Sequence, residues 1–451
     1  MERPSLLLVL TDQLRYDAVA TPLVATPALD AFAASGWRAT HAFTPTGLCS
    51  PARASLLSGR YAHRHGVLTN VHGPDALATE PLPGTPSFPA LLRDAGYTTS
   101  YVGKYHVSLD EAPQRQGFAR AVATGEFWTT DAFLDWRAER GVARDEPAFP
   151  IDKATRWIPV SGRERVPVNA TPPAYLVDLA LAELRTLEPP FLLVVSFLGP
   201  HWPHCVPEPY WSMYQDPPRW PSLDDDGAGK SGALRRAREH AGVEGWDDAD
   251  WAAVTSSYFA SVAYHDALVG EIVAAAPDVP TVVTTDHGDM AGSHRVFNKG
   301  PLMYDDVYRI PLLARWPGVT TPGTVSDAFV STLDLAATFA DAAGVTHHGD
   351  GGSLLPLLRG DVPEAWRDDF CAQFHGDEWG LVSQRMLRTR THKYVYNPHD
   401  TDELYDLVAD PWELTNLAAD ADLARPLRLR LYEWLRDTGD PLAAAAVNVL
   451  T

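Results

Sequence analysis

The segment Cys49-Ser50-Pro51-Ala52-Arg53 opens a helical run that ends at Ser58-Gly59-Arg60. Pro51 suits a first helical turn, so Cys49 is expected at a helix N-terminus, where free N–H groups and the macrodipole favour an anion. A thiol in that position has a depressed pKa. Four further clusters carry chemistry: Asp12-Gln13, Lys104 with His106, His201, and Asp286-His287-Gly288-Asp289. They bring carboxylate and amide oxygens, an ammonium and imidazoles. Lys104 and His106, two apart, project to one side of an extended segment.

Each cluster lies where a predicted strand stops. The expected strands are Ser5–Leu10, Thr98–Val102, Phe191–Phe197, Thr281–Thr284 and Pro311–Arg315. The first four run into Asp12, Lys104, His201 and Asp286 in turn. Short apolar runs alternating with helical patterns predict an α/β fold with a central, mostly parallel sheet flanked by helices. In such a sheet, ligands bind beyond the carboxyl ends of the strands. Helices are expected from Thr26-Pro27 to Gly36, from Ser87 to Gly96, and over Ala174–Leu187, Asp250–Ala274 and Leu333–Ala343. Asp110 to Pro173 and Pro203 to about Gly245 read as loops. After Val362 the character changes: Met386–Asn397 alternates like a small antiparallel sheet and Leu427–Leu435 reads as a terminal helix. The division expected is a catalytic domain 1–362 and a small C-terminal α+β subdomain 363–451.

Cys49-x-Pro51-x-Arg53, with Leu56 and Ser58-Gly59-Arg60 behind it, resembles the signature of the sulfatase family, and the resemblance runs from Thr11 to about Ala418. It implies an alkaline-phosphatase-like fold and a cysteine oxidised to formylglycine by a maturation enzyme. It implies hydrolysis of a small aryl, sugar or alkyl sulfate ester by covalent catalysis beside one divalent metal ion. Asp12, Gln13, Asp286 and His287 match the family's ligand positions, with the modified Cys49 completing the set. The familiar ion is Ca²⁺. Gln13 and His287 replace the Asp and Asn of many relatives, which leaves Mn²⁺ or Mg²⁺ open. The same Asp-Gln…Asp-His set resembles choline sulfatases and phosphonate monoester hydrolases, so a phosphonate monoester or phosphodiester hydrolase is the alternative.

The resemblance also implies roles. Arg53 braces the formylglycine, Lys104, His201 and Lys299 bind sulfate, and His106 holds the non-attacking hydroxyl as the base for collapse. Positive donors of this kind stabilise charge that spreads over the transferring group. Asn70 is a candidate for a sulfate or metal-side contact. His375, in Gln373-Phe374-His375-Gly376-Asp377, is a candidate specificity residue. Asp17 and Asp289 are expected to support the ligands or cap turns, and His204 to be structural. Trp128, Trp202, Trp211, Trp220 and Trp379 are candidates to stack on substrate.

The formal net charge of −21 over 451 residues disfavours nucleic acid and anionic membranes as partners. No export signal or membrane span is read from the sequence, and three widely spaced cysteines suggest no disulfide framework, so a cytoplasmic location is expected. A homo-oligomer is left open. Gly227-Ala228-Gly229-Lys230-Ser231 lacks the first glycine of a phosphate loop and reads as a solvated loop.

Overall fold

The computed structural model describes residues 3–72, 76–156, 158–376 and 380–451. Its centre is an eight-stranded sheet. The order across it is Thr324–Ser331, Trp37–Phe43, Leu312–Arg315, Thr281–Thr285, Leu6–Asp12, Phe191–Pro200, Thr98–Gly103 and Arg120–Val122. Only Leu312–Arg315 runs against its neighbours; all other pairs are parallel.

Parallel strands covered on both faces read as continuous apolar runs, and Leu6–Asp12 is buried along its whole length. Its alternate side chains feed two cores. Leu7 and Val9 enter one, with residues of the helices Pro172–Thr186 and Asp248–Ala275. Leu6, Leu8 and Leu10 enter the other, with the helices Cys49–Ser58, Phe88–Asp94 and Leu333–Ala342. The strand's last residues therefore sit at the middle of one sheet edge, between the ends of Phe191–Pro200 and Thr281–Thr285.

All five expected strands form. Trp37–Phe43, whose Arg38, Thr40 and His41 interrupt its apolar run, and Thr324–Ser331, half-exposed at its start, were not expected. The expected caps form differently. Ser87 Oγ donates to Gln116 O at 2.6 Å, and Thr26 makes no side-chain cap. The helix Pro27–Ala34 is instead capped from a neighbour, with Ala28 and Leu29 N–H donating to Asp266 at 3.0 and 2.8 Å. The two stretches read as loops contain helices, Asp131–Ala138 and Gly232–Ala241. The expected solvated loop at Lys230 is also corrected. Its ammonium is buried, donating to Asp225 Oδ2 at 2.5 Å and Glu413 O at 2.6 Å, a tie between distant segments.

At the C-terminal end, Phe370–Phe374, Gln384–Arg388, His392–Tyr396 and Glu403–Asp406 form an antiparallel sheet. Ala372, Phe374 and Met386 pack with Phe43, Tyr304 and Tyr308 of the main body. Leu387 and Tyr394 pack with Leu431 and Leu450 of two helices, Ala421–Thr438 and Ala443–Leu450. The single expected terminal helix is thus longer than read, begins with the Asp420 cap, and is followed by another. Among the described residues, no helix is long and apolar enough to cross a membrane.

Candidate active site

The helix Cys49–Ser58 points its N-terminus at the sheet edge, and Cys49 is its first residue. Every residue of this helix is buried, and Gly59 closes it at φ +63°, the left-handed turn glycine adopts without strain. Asn70 Oδ1 accepts from Ser50 N–H at 3.1 Å and so fixes the entry turn. Asn70 also lines the cavity beside Cys49.

Around Cys49 the strand ends converge. One ligand atom from each of Asp12, Cys49, Asp286 and His287 lies within 4.8 Å of the others. Cys49 Sγ is 3.3 Å from His287 Nε2, 3.9 Å from Asp12 Oδ1 and 3.8 Å from Lys104 Nζ. His287 Nδ1 lies 2.8 Å from Gly288 O; placing the proton there leaves Nε2 a lone pair toward the sulfur.

Arg53, one turn along the same helix, bridges the two carboxylates. It donates to Asp12 Oδ2 at 2.9 Å and to Asp286 Oδ2 at 2.8 Å, then to Lys104 O and Ser196 Oγ at 2.7 and 2.8 Å. Lys104 Nζ adds a bond to Asp12 Oδ2 at 2.5 Å. Each carboxylate thus gives one oxygen to cations of the chain and keeps the other toward the ligand cluster. Among the described residues, Asp12 Oδ1 accepts from the Cys49 thiol at 3.9 Å. Asp286 Oδ1 accepts backbone N–H groups from His287 at 2.9 Å and Gln13 at 3.3 Å.

Gln13 is held in a left-handed conformation, φ +65°, an arrangement that persists only where surroundings over-determine it. Here they do. Tyr258 OH donates to its carbonyl at 2.8 Å, and its Nε2 donates to Asp289 and, at 3.2 Å, to Asn298 Oδ1. The amide oxygen is turned to Lys299 Nζ at 2.8 Å, and Lys299 reaches His201 Nε2 at 3.4 Å. His106, also at positive φ, stacks on His72 with ring centroids 4.9 Å apart. Glu111 holds both: its Oε2 accepts from His106 N–H at 2.9 Å, and its Oε1 lies 2.6 Å from His72 Nε2.

The electrostatics follow from burial against paired charge. Burial would raise the Cys49 thiol, but Lys104, Lys299 and His287 pull it well below its ordinary value. Burial and the Cys49 sulfur push Asp12 up; Lys104, His201 and Arg53 outweigh them and hold it below the usual carboxylate range. Asp286 is displaced upward, by burial and then by Asp12. His201 and His106 are both lowered to about 4, chiefly by burial, with Lys299 acting next on His201 and Lys104 opposing protonation of each.

The donor set suits a divalent cation. Two buried carboxylates each keep an oxygen directed inward, the His287 imidazole turns Nε2 to the same cluster 3.3 Å from Cys49 Sγ, and an amide oxygen lies on the same edge.

A cavity of about 620 Å³ opens over this cluster and is lined by Cys49, Asn70, Lys104, His106, His201 and Lys299. Trp128 and Trp202 line it too. Trp211 and Trp220 do not; the Trp220 indole is buried and donates to Ala291 O at 2.9 Å. Trp379 and Asp377 lie outside the described residues. His375 is not brought to this cavity: its Nε2 pairs with Gln373 Oε1 at 2.7 Å. Asp289 supports the cluster through Gln13, while Asp17 pairs with Arg15 at 2.6 Å. His204 is buried against Ser257 Oγ at 3.2 Å. Sequence reading missed Ser196, Asn298, and the His72–Glu111 pair. Asn298 alone carried a signal, as an Asn beside Lys299 of the kind that tolerates its φ of +74°.

A nucleophile-bearing helix N-terminus, a candidate cation site and a ring of basic groups on an α/β sheet edge define an enzyme acting on an anionic ester. The family model for sulfatases matches residues 4–345, and that for the C-terminal part of N-sulphoglucosamine sulphohydrolase matches residues 292–438. A protein of Escherichia coli (strain K12) described as uncharacterized sulfatase YidJ is 30% identical, over 98% of this chain and 88% of its own. An arylsulfatase of Clostridium perfringens is 27% identical, over 92% and 90%. The crystal structure of a phosphonate monoester hydrolase of Agrobacterium radiobacter is 27% identical, covers 97% of this chain and 95% of its own, and superposes with a TM-score of 0.80. The chain belongs to the sulfatase family. It has the expected alkaline-phosphatase-like α/β fold and is a sulfuric ester hydrolase.

Proposed function

We propose that this chain cleaves a sulfate monoester to an alcohol and sulfate, using residue 49 as formylglycine and one divalent cation, Ca²⁺ or else Mn²⁺ or Mg²⁺. The convergence of Asp12, Cys49, Asp286 and His287 within 4.8 Å carries the reading. Asp12, Gln13, Asp286 and His287 would hold the cation, which supplies Lewis acidity for the nucleophile and the sulfuryl oxygens. Oxidised and hydrated, residue 49 supplies a geminal diol whose second hydroxyl gives sulfate its exit.

The chain's other residues do the remaining work. Lys104, His201 and Lys299 bind the sulfate oxygens and stabilise the charge spreading over them. Arg53 fixes the spacing of Asp12 and Asp286 beneath residue 49. His106, kept neutral by burial, is available to accept a proton at its ring nitrogen. Lys299, whose ammonium stands 3.4 Å from His201 Nε2, would assist the departing alcohol oxygen.

A maturation enzyme that oxidises Cys49 belongs to the same proposal, and it dictates the test. Protein made together with such an enzyme should carry formylglycine at position 49 by mass spectrometry and turn over an aryl sulfate, while Cys49→Ala should not. Retained turnover in Cys49→Ala would discard the reading.

The second reading, a phosphonate monoester or phosphodiester hydrolase, is favoured by the likeness to the Agrobacterium enzyme. Comparing kcat/KM for aryl sulfate, aryl phosphonate and phosphodiester esters separates the two.

A further inference from the structure

The cavity over Cys49 is lined by two unlike sets of side chains. One is basic: Lys104, His201 and Lys299. The other, the apolar arm, is formed by Phe127, Trp128, Phe149, Leu176, Phe197 and Trp202, and it meets the basic set where the Trp202 and His201 rings lie 5.1 Å apart. Trp128 meets Phe149 edge-on at 5.2 Å and Phe127 at 5.4 Å between centroids. Phe127 and Phe133 pack on Tyr175 of the helix Pro172–Thr186, which ties the wall to the scaffold. Trp128 and Phe149 are only half-buried, so their rings still have surface to cover.

Three polar groups along the arm are already engaged. Thr124 Oγ1 donates to Glu111 O at 3.1 Å, Cys205 Sγ reaches Pro150 O at 3.1 Å, and His265 Nδ1 lies 2.8 Å from Ser261 O. Two ring nitrogens, His265 Nε2 and Trp202 Nε1, have no partner among the described residues, and both are sealed from solvent. His265 Nε2 faces Gly199, where an added Cβ would lie 2.1 Å from it. Glu126 is exposed and stands at the rim.

We infer that this arm is the leaving-group subsite and that it selects an apolar, ring-bearing alcohol over a sugar. The inference rests on the sulfate-ester reading of the site. A sulfate held at the basic end delivers its alcohol portion to the arm, because one cavity is continuous between them. An aromatic ring covers apolar surface there and meets Trp128 and Phe149 in the edge-on geometry rings favour. A sugar would surrender water from its hydroxyls to a wall made mostly of apolar and aromatic side chains, which offers few polar partners in return.

The test is an alkyl series in which acidity of the leaving phenol is nearly constant: phenyl, 4-ethylphenyl and 4-butylphenyl sulfate. It is run on protein made with a formylglycine-generating enzyme, and calorimetry measures binding of the matching free alkylphenols to the same protein. From ethyl to butyl, both kcat/KM and phenol affinity should improve about tenfold, the expectation for two buried methylenes. The Trp128→Ala, Phe149→Ala double variant should flatten both slopes, and Trp128→Phe should keep them. A flat series in the unsubstituted protein, slopes unchanged in the double variant, or a higher kcat/KM for glucose 6-sulfate than for butylphenyl sulfate would each overturn the inference. Length-dependent phenol binding that is lost in the double variant, without cleavage of any sulfate ester, would uphold the arm and sink the catalytic reading instead.

Discussion

Arg53 Nη2 donates to Asp12 Oδ2 at 2.9 Å inside a site where both side chains are at most 1% exposed. The same guanidinium holds Asp286 at 2.8 Å, so one cation of the chain sets the distance between two carboxylates. Removing one partner of a buried ion pair leaves charge without compensation. Arg53→Ala should lower stability by about 3–5 kcal/mol in urea denaturation and abolish turnover, since both carboxylates lose their spacer. An Arg53→Ala protein as stable as the parent would show that the bridge holds nothing.

Lys299 makes a different kind of contact. Its ammonium fixes the Gln13 amide oxygen at 2.8 Å and stands 3.4 Å from His201 Nε2. Lys299→Met keeps much of the bulk but removes the donor aimed at developing charge. Its kcat on 4-nitrophenyl sulfate should fall by roughly 10²–10³-fold, the scale for losing one preorganised donor. A rise in KM with kcat unchanged would place Lys299 in ground-state binding alone.

The site was legible in the sequence where chemistry and chain direction coincide. Asp12, Lys104, His201 and Asp286 each follow an apolar strand, so the sheet brings them to one edge whatever the loops between them do. What escaped the reading depends on contacts that no period encodes. Ser196 is a polar residue inside an apolar strand, and only the arrival of Arg53 from another element gives it a role. Glu111 lies in a stretch without a clean period, and the turn that brings it beneath His106 is tertiary. His375 lay in a suggestive segment, yet the antiparallel sheet carries it to Gln373 instead of the cavity. The strand Trp37–Phe43 was hidden because Arg38, Thr40 and His41 broke its apolar run.

The ligand cluster predicts a stability that depends on the cation. Without it, Asp12 and Asp286 remain buried together and each keeps one oxygen directed inward. A cation bound only by the folded chain adds about 2.7 kcal/mol at one hundred times its dissociation constant. Exhaustive chelation should therefore lower the melting temperature and end turnover of sulfate esters, and readdition of Ca²⁺ or Mn²⁺ should restore both. Asp286→Asn should weaken the cation-dependent rise in melting temperature. A melting temperature indifferent to chelator and cation alike would remove the cluster from consideration as a metal site.

Burial of histidines outside the ligand cluster predicts how stability varies with pH. Burial, with His63 adding to it, lowers His65 to about 3; burial with His201 and His265 lowers His204 to about 3; burial lowers His265 to about 4. Below pH 6.5 the unfolded chain takes up protons at these positions while the folded chain does not. The unfolded state then binds more protons, so stability falls as pH drops from about 6.5 toward 4. Glu164 acts on the other side. Burial raises it to about 8 against the opposing pull of Arg137, so from about pH 4.5 to 8 the unfolded carboxyl ionises first and stability falls as pH rises. Urea denaturation across pH 4–9 should show both losses. Glu164→Gln should remove up to about 1.4 kcal/mol per pH unit of slope between pH 5 and 8, and His204→Gln should flatten the acid limb by a similar slope. Variants that change overall stability but leave both slopes untouched would show that neither group is held uncharged by the fold.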